Sequence, residues 1–151
     1  MPAFGHYCRR HMAVEGTGEY HYLGVGESLA IEVSGPTMEA CLARAIEGVA
    51  ARFADIHPSH YGELRSVVVI GSSPSKLLHS LLSQSVRLLR SGELAVQLVD
   101  CMVAEGRLNA TWEVVRLDAI RPARSPRRLR WHDVCLEPDR TGWTGRAIAS
   151  R

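Results

Sequence analysis

The chain has 151 residues, of which 46% are hydrophobic and 23% are charged. This composition is typical of a globular protein, and the length suffices for one domain with a buried core. Composition and length exclude a collagen, a coiled-coil rod and a wholly disordered chain. No apolar run approaches the ~20 residues of a membrane span, and residues 1–10 lack the apolar stretch of a secretory signal. We therefore expect a cytoplasmic protein that does not act at a membrane.

Positive charge is concentrated in one segment of the chain. Residues 1–120 carry ten basic and thirteen acidic side chains, and residues 131–151 carry three of each. Residues 121–130 carry five arginines and no acid, whereas the net charge of the whole chain is only +2. Arginine side chains match phosphate and carboxylate groups in geometry. The segment is therefore either a solvated loop or a surface that faces RNA or another anion, with five candidate contact residues: Arg121, Arg124, Arg127, Arg128 and Arg130.

The N-terminal half predicts strands and one helix. Residues 1–19 show no periodicity and are predicted to form a weakly ordered lead-in, followed by one domain over residues 20–151. Alternating apolar side chains predict a strand that begins at Tyr20 and continues to Val33, interrupted by a turn or bulge at two glycines. Thr37 is the predicted N-cap of an amphipathic helix over residues 38–54.

The rest of the chain adds a second helix between strands. β-branched residues predict a strand over residues 64–70, and Pro74 begins a helix that ends near Gly92. Two predicted hairpins follow: Leu94–Val103 with Arg107–Leu117, and Trp131–Glu137 with Trp143–Ser150. The order of elements predicts an α+β fold in which two helices pack on one face of a largely antiparallel sheet.

Catalytic motifs are missing from the sequence. There is no phosphate-binding loop, zinc-protease motif, hydrolase elbow or kinase signature, and no nucleophile has an adjacent base. We therefore predict no catalytic residue. Three of the four cysteines lie in apolar contexts and are expected to be reduced core residues: Cys41, Cys101 and Cys135. Cys8 and His11 have a ligand-like spacing, but no second pair completes a zinc site.

Histidines are expected to be solvated or structural. His57, His60 and His79 lie in a loop or on a serine-rich helix flank. His132 and Asp133 form the most prominent polar pair, because they follow Trp131 on a predicted strand. Regular alternation would place His132 on the apolar face of that strand and Asp133 on the opposite face.

Several of these segments resemble the archease family, small α+β proteins that assist RtcB-type RNA ligases. The stretch from Arg127 to Asp133 resembles the family's K-A-V-T-Y-H-D, and Gly142-Trp143 resembles its terminal G-W strand. The stretch from Thr37 to Cys41 resembles the T-L-E-E-A-F start of its first helix. The resemblance covers about residues 20–151, and its W-H-D and G-W parts are the most specific.

The resemblance implies a non-catalytic accessory protein in tRNA splicing or RNA repair, with an RtcB-type ligase as partner. Arg127, His132, Asp133 and the arginine segment would then face the ligase or its RNA. The family holds a divalent cation with two aspartates and the terminal carboxylate. Here the positions are Ser28, Ser150 and Arg151, so neutral hydroxyls replace both aspartates, and Glu27 could substitute only through a bulge. We therefore expect no cofactor, with calcium or manganese binding weakened.

Two other functions stay open on the sequence. A diverged relative that keeps the fold could act as a protein-interaction or chaperone-like module, which the two serine replacements favour. Alternatively, the domain could bind RNA or another anion through the arginines of residues 121–130, with an affinity that falls steeply as salt rises.

Overall fold

The computed structural model of the protein describes residues 18–23, 29–54, 62–119 and 129–150. The helices and strands, in chain order, are β1 (Glu19–Tyr22), β2 (Leu29–Gly35), α1 (Met38–Phe53), β3 (Glu63–Ile70), α2 (Pro74–Arg90), β4 (Glu93–Ala104), β5 (Arg107–Arg116), β6 (Arg130–Asp139) and β7 (Gly142–Ser150). A 3₁₀ turn at Leu117–Ala119 follows β5. Of the predicted lead-in, Glu19 already belongs to β1, and residues 1–17 lie outside the described part of the chain.

The strands form two antiparallel sheets within the described residues. One sheet has the order β1-β2-β7-β6 and the other the order β3-β5-β4. The predicted α+β class with two helices and antiparallel strands is confirmed. The predicted sheet is divided because β2 pairs with β7, from Leu29 opposite Ala149 to Gly35 opposite Trp143. The N-terminal and C-terminal strands thus form a sheet of their own, while residues 63–116 supply the other.

Each helix begins at a side-chain cap. The Thr37 hydroxyl accepts a hydrogen bond from the Ala40 N–H at 3.0 Å, and the Ser73 hydroxyl accepts one from the Lys76 N–H at 3.2 Å. These bonds satisfy backbone donors that have no partner within the helix. Pro74 occupies the start of α2, where its missing N–H costs nothing. Both predicted starts are confirmed, and α1 ends at Phe53.

One hydrophobic core joins the two sheets through the helices. Its most deeply buried large side chains come from both helices and both sheets: Ile31, Val33, Leu42, Ile46, Leu78, Leu81, Leu82, Leu94, Leu98, Leu108 and Leu136. Full burial of such a side chain contributes about 1.5–3 kcal/mol. The relative position of the sheets therefore depends on the helices packed against them. In the described part of the chain, neither helix has the length and apolar character needed to span a membrane.

Candidate functional site

Three strand ends meet at one end of the four-stranded sheet. In the antiparallel register, Leu29 of β2 pairs with Ala149 of β7, and Arg130 of β6 pairs with Ser150 of β7. The first residues of β2 and β6 and the last residue of β7 therefore lie side by side. Directly opposed residues of an antiparallel pair have Cα atoms about 4.5–5.5 Å apart. Arg130 and Ser150, which the sequence assigned to different sites, are thus neighbours.

A β-bulge at His132 shapes the start of β6. Trp131 pairs with Ala149 and Asp133 pairs with Ile148, so His132 is the extra residue. Trp131 is buried, whereas His132 and Asp133 are both exposed. The predicted alternation, with His132 on the apolar face, is therefore wrong. An inserted residue interrupts the two-residue period of a strand, and the sequence carries no signal for it.

The described residues at this sheet end do not fit a divalent cation. Ser150 offers a neutral hydroxyl, and the residue opposite it is the cationic Arg130. No three histidine, cysteine, aspartate or glutamate side chains cluster as metal ligands in the ranges that the structure describes. Calcium and manganese need several oxygen ligands, preferably charged ones. The other three predicted positions, Glu27, Ser28 and Arg151, lie outside these ranges.

Beside this sheet end, α2 and the start of β6 enclose a groove of about 290 Å³. We call it the arginine groove. Its wall on α2 consists of His79, Ser83, Val86, Arg87 and Arg90, and its wall on the other side consists of Leu129, Arg130 and Trp131. The polar residues of α2 are spaced by three or four positions and so share one flank of the helix. The adjacent stripe of α2, which includes Leu78, Leu82 and Leu89, packs into the core.

Side chain to backbone hydrogen bonds attach α2 to β6 along its length. The Ser75 hydroxyl accepts from the Leu136 N–H at 2.9 Å, near the start of α2. One turn further on, Nε2 of His79 lies 3.1 Å from the Trp131 carbonyl oxygen. Because a carbonyl oxygen only accepts, the His79 Nε2 atom carries the hydrogen. At the end of α2, Nη2 of Arg90 donates to the Leu129 carbonyl at 3.3 Å. These contacts fix the two walls of the groove relative to each other.

The groove carries three positive charges. Arg87, Arg90 and Arg130 are all exposed, and none of the described residues that line the groove is a carboxylate. Within the described ranges, none of the three arginines forms an ion pair. Trp131, which also lines the groove, is buried, and its Nε1–H has no hydrogen-bond partner in the described part of the chain. Among the described residues, the groove is therefore a concave surface whose positive charge no acidic side chain offsets.

The sequence located only part of this region. Arg130, His132, Asp133 and Ser150 lie at the sheet end, and Arg121, Arg124, Arg127 and Arg128 lie outside the described residues. His79, Ser83, Arg87 and Arg90 were missed as a site. Their spacing along α2 was visible, but any solvated helix flank has the same spacing. The deciding fact is that the start of β6 packs beside them, which only the fold shows.

The two most buried thiols are held in the protonated form. Burial raises the pKa of Cys41 to about 11, with a further contribution from the negative charge of Asp139. Burial also raises the pKa of Cys101 to about 12, assisted by Glu39 and Asp100. Cys41, Cys101 and Cys135 are free thiols, and Cys135 is half-buried. The predicted core positions of Cys41 and Cys101 are thus confirmed.

Comparisons with known proteins agree with this architecture. The solution structure of protein 1598 of Methanobacterium thermoautotrophicum matches with a TM-score of 0.57 and 14% identity, over 89% of this chain and 99% of that one. This likeness concerns the fold. The comparison with curated proteins finds no match. The model of the Archease protein family (MTH1598/TM1083) matches residues 20–148, which is most of the chain. The chain therefore belongs to the archease family.

Proposed function

We propose that this protein is a cytoplasmic, non-catalytic accessory factor of an RtcB-type RNA ligase, acting in tRNA splicing or RNA repair. The observation that carries the proposal is membership of the archease family over residues 20–148. The exposed His132 and Asp133 on the bulge of β6, next to Arg130, support it further. Polar side chains on a bulged, well-anchored strand are accessible to a partner protein.

The state of the reactive side chains supports a non-catalytic role. Thiols with a pKa of about 11 or 12, as in Cys41 and Cys101, are protonated at neutral pH and are poor nucleophiles. The buried Ser85 hydroxyl donates to the Leu82 carbonyl within α2. The His79 ring is hydrogen-bonded to the Trp131 carbonyl. These groups serve packing and helix attachment, so the proposed partner ligase performs the chemistry.

The proposal includes action without a metal held by this chain. Ser150 carries no negative charge that would attract a cation, and the neighbouring Arg130 repels one. Any divalent ion in the assisted reaction is then bound by the ligase. The role of this protein is to bind and position its partner.

A multiple-turnover RNA ligation assay tests the proposal. The ligase of the RtcB type from the same cells is assayed with and without the protein, and we expect the protein to raise turnover. The double variant His132→Ala/Asp133→Ala should lower this activation about tenfold, which corresponds to about 1.4 kcal/mol of lost contact energy. Arg140→Ala, in the turn at the other end of β6, is the matched control and should activate fully. Turnover that is unchanged by the wild-type protein contradicts the proposal.

A second candidate function is that of a diverged family member that acts as a protein-interaction or chaperone-like module. The neutral Ser150 at the end of β7 favours it, because the charge on which the family's ion depends is missing there. The same assay separates the candidates. A protein that binds the ligase in a pull-down without raising turnover supports the module, and activation supports the accessory factor.

A further inference from the structure

We propose that the arginine groove is a binding site for a phosphoryl group, supplied by a nucleotide or by the backbone of single-stranded RNA. The site differs from the arginine segment of residues 121–130 that the sequence suggested, because two of its three arginines come from α2. It also goes beyond the accessory role, since it assigns a ligand to the isolated protein. Its test therefore needs no ligase.

The charge distribution is the first argument. Arg87 and Arg90 project from the last turn of α2, and Arg130 faces them from β6. Three like charges around one groove repel one another, and no carboxylate among the described lining residues relieves the repulsion. A bound anion would turn this repulsion into attraction. A guanidinium group presents parallel N–H donors that match two phosphate oxygens, which favours a phosphoryl group over a spherical anion.

The geometry of the walls is the second argument. The hydrogen bond from Arg90 Nη2 to the Leu129 carbonyl uses one of the five N–H donors of that guanidinium and orients the rest. The contact between His79 and the Trp131 carbonyl holds β6 against α2 one residue from Arg130. Such anchoring reduces the entropy that a ligand must overcome on binding. A volume of about 290 Å³ is at the small end of ligand sites, and it suits one phosphate with its sugar.

Helix electrostatics explain only part of the cluster. Arginines in the last turn of a helix stabilise its negative C-terminal dipole, which accounts for Arg87 and Arg90. Arg130 lies on a strand and has no such role. The dipole also opposes an anion at this end of α2, so the third arginine supplies positive charge that an anion site here requires. If Arg87 and Arg90 only stabilise the end of α2, a change at Arg130 leaves anion binding unaltered. If the three arginines form an anion site, the same change weakens anion binding.

Binding of a fluorescent oligouridylate at several salt concentrations tests the proposal. We expect the wild-type affinity to fall linearly with salt on logarithmic axes. The double variant Arg87→Gln/Arg130→Gln should reduce that slope by about 1.4, since each lost phosphate contact with a single strand removes about 0.7. Arg87 lies outside residues 121–130, so a slope reduced by about 1.4 indicates the groove, whereas a reduction of about 0.7 would be explained by Arg130 of the arginine segment alone.

Arg140→Gln is the control. It removes one positive charge, where the double variant removes two, from an exposed position of the turn after β6, about 30 Å along the strand from Arg130. Its slope should equal that of the wild type. Equal slopes for the double variant and the control would overturn the proposal for the RNA backbone, and a titration of the same proteins with uridine monophosphate then decides it for a nucleotide. Loss of nucleotide affinity in the double variant alone supports the site, and unchanged or absent nucleotide affinity overturns the proposal.

A second variant guards against an effect on folding. Ser83→Asp keeps all three arginines and places a carboxylate on the α2 wall of the groove. It should lower the affinity for both probes, while the protein still unfolds cooperatively at its usual temperature. Affinity that is unchanged by this added negative charge counts against the site.

Discussion

Cys101 of β4 shows how a single buried group links stability to pH. Its side chain is 8% exposed, and burial raises its pKa from 9.0 to about 12. The folded protein therefore retains the thiol proton over a pH range in which the unfolded chain releases it. A raised pKa in the folded state contributes stability that is fully present below pH 9 and is lost as the pH rises toward 12.

We predict that Cys101→Ala flattens the decline of stability at alkaline pH. The wild type should lose stability relative to the variant above pH 9, by about 1.4 kcal/mol per pH unit, until the folded thiol also ionises. Urea denaturation of both proteins at pH 7.5, 9 and 10.5 measures this difference. At pH 7.5 the comparison gives the cost of lost packing alone. Parallel stability profiles would show that Cys101 does not keep its proton.

At the residue scale, the sequence predicted burial better than function. The apolar surroundings of Cys41 and Cys101 predicted their place in the core, because burial of small hydrophobic groups follows local pattern. The exposure of His132 was not predictable, because it depends on the bulge opposite Ala149 and Ile148. A bulge reflects the pairing of two distant strands rather than the local sequence.

Gly48 determines how closely α1 approaches β1 and β2. A Cβ atom at Gly48 would lie 2.1 Å from Cδ1 of Ile31 and 3.0 Å from Cδ1 of Tyr20. The Tyr22 hydroxyl also donates to the Gly48 carbonyl at 2.6 Å. The missing side chain thus allows both β1 and β2 to approach the helix closely.

We predict that Gly48→Ala destabilises the protein. In an exposed helix this change adds about 1 kcal/mol of stability, but here overpacking against the buried Ile31 costs about 1–3 kcal/mol, so we expect a net loss of up to about 2 kcal/mol. Ile31→Val deletes the obstructing Cδ1 atom and is the matched partner for a double-mutant cycle. The two changes together should cost less than the sum of their separate costs, measured by chemical denaturation. Additive costs would show that the Ile31 contact does not limit the position.

At the element scale, the sequence predicted helices and strands closely but not their arrangement. Thr37 and Pro74 marked the helix starts because capping and fixed φ act within a few residues. The hairpins β4–β5 and β6–β7 followed from local turn signals. The division into two sheets did not, because the pairing of β2 with β7 joins the two ends of the chain. The arginine groove was missed because the packing of α2 beside the start of β6 is likewise a contact between distant parts of the sequence.

The stability of the whole molecule depends more on the central strand β7 than on the edge strand β1. β7 hydrogen-bonds to β2 on one side and to β6 on the other, and its Ala147 and Ala149 are buried. β1, by contrast, is a four-residue edge strand, and only Tyr20 is half-buried within it. Loss of a central strand exposes two unpaired strand edges, whereas loss of an edge strand exposes one.

We predict opposite outcomes for two truncations. Removal of residues 1–22, which include β1, should lower the midpoint of thermal unfolding but leave a single cooperative transition. Removal of residues 142–151, which include β7, should abolish cooperative unfolding because β2 and β6 lose their shared partner. Calorimetry and circular dichroism measure both effects. A cooperative transition in the chain without β7 would contradict this account of the sheet.

The pairing of β2 with β7 also affects the order in which the strands can pair during translation. Leu29 and Ala149 are partners although 120 positions separate them, 29 and 149 in the sequence. β3, α2, β4 and β5 can associate while the ribosome is still translating, because residues 63–116 contain all three strands of their sheet. β2 can pair with β1 as soon as both are synthesised, but the edge that later pairs with β7 stays open while more than 100 further residues are added. One edge of β2 therefore stays exposed and prone to aggregation until β7 has been synthesised and pairs with it.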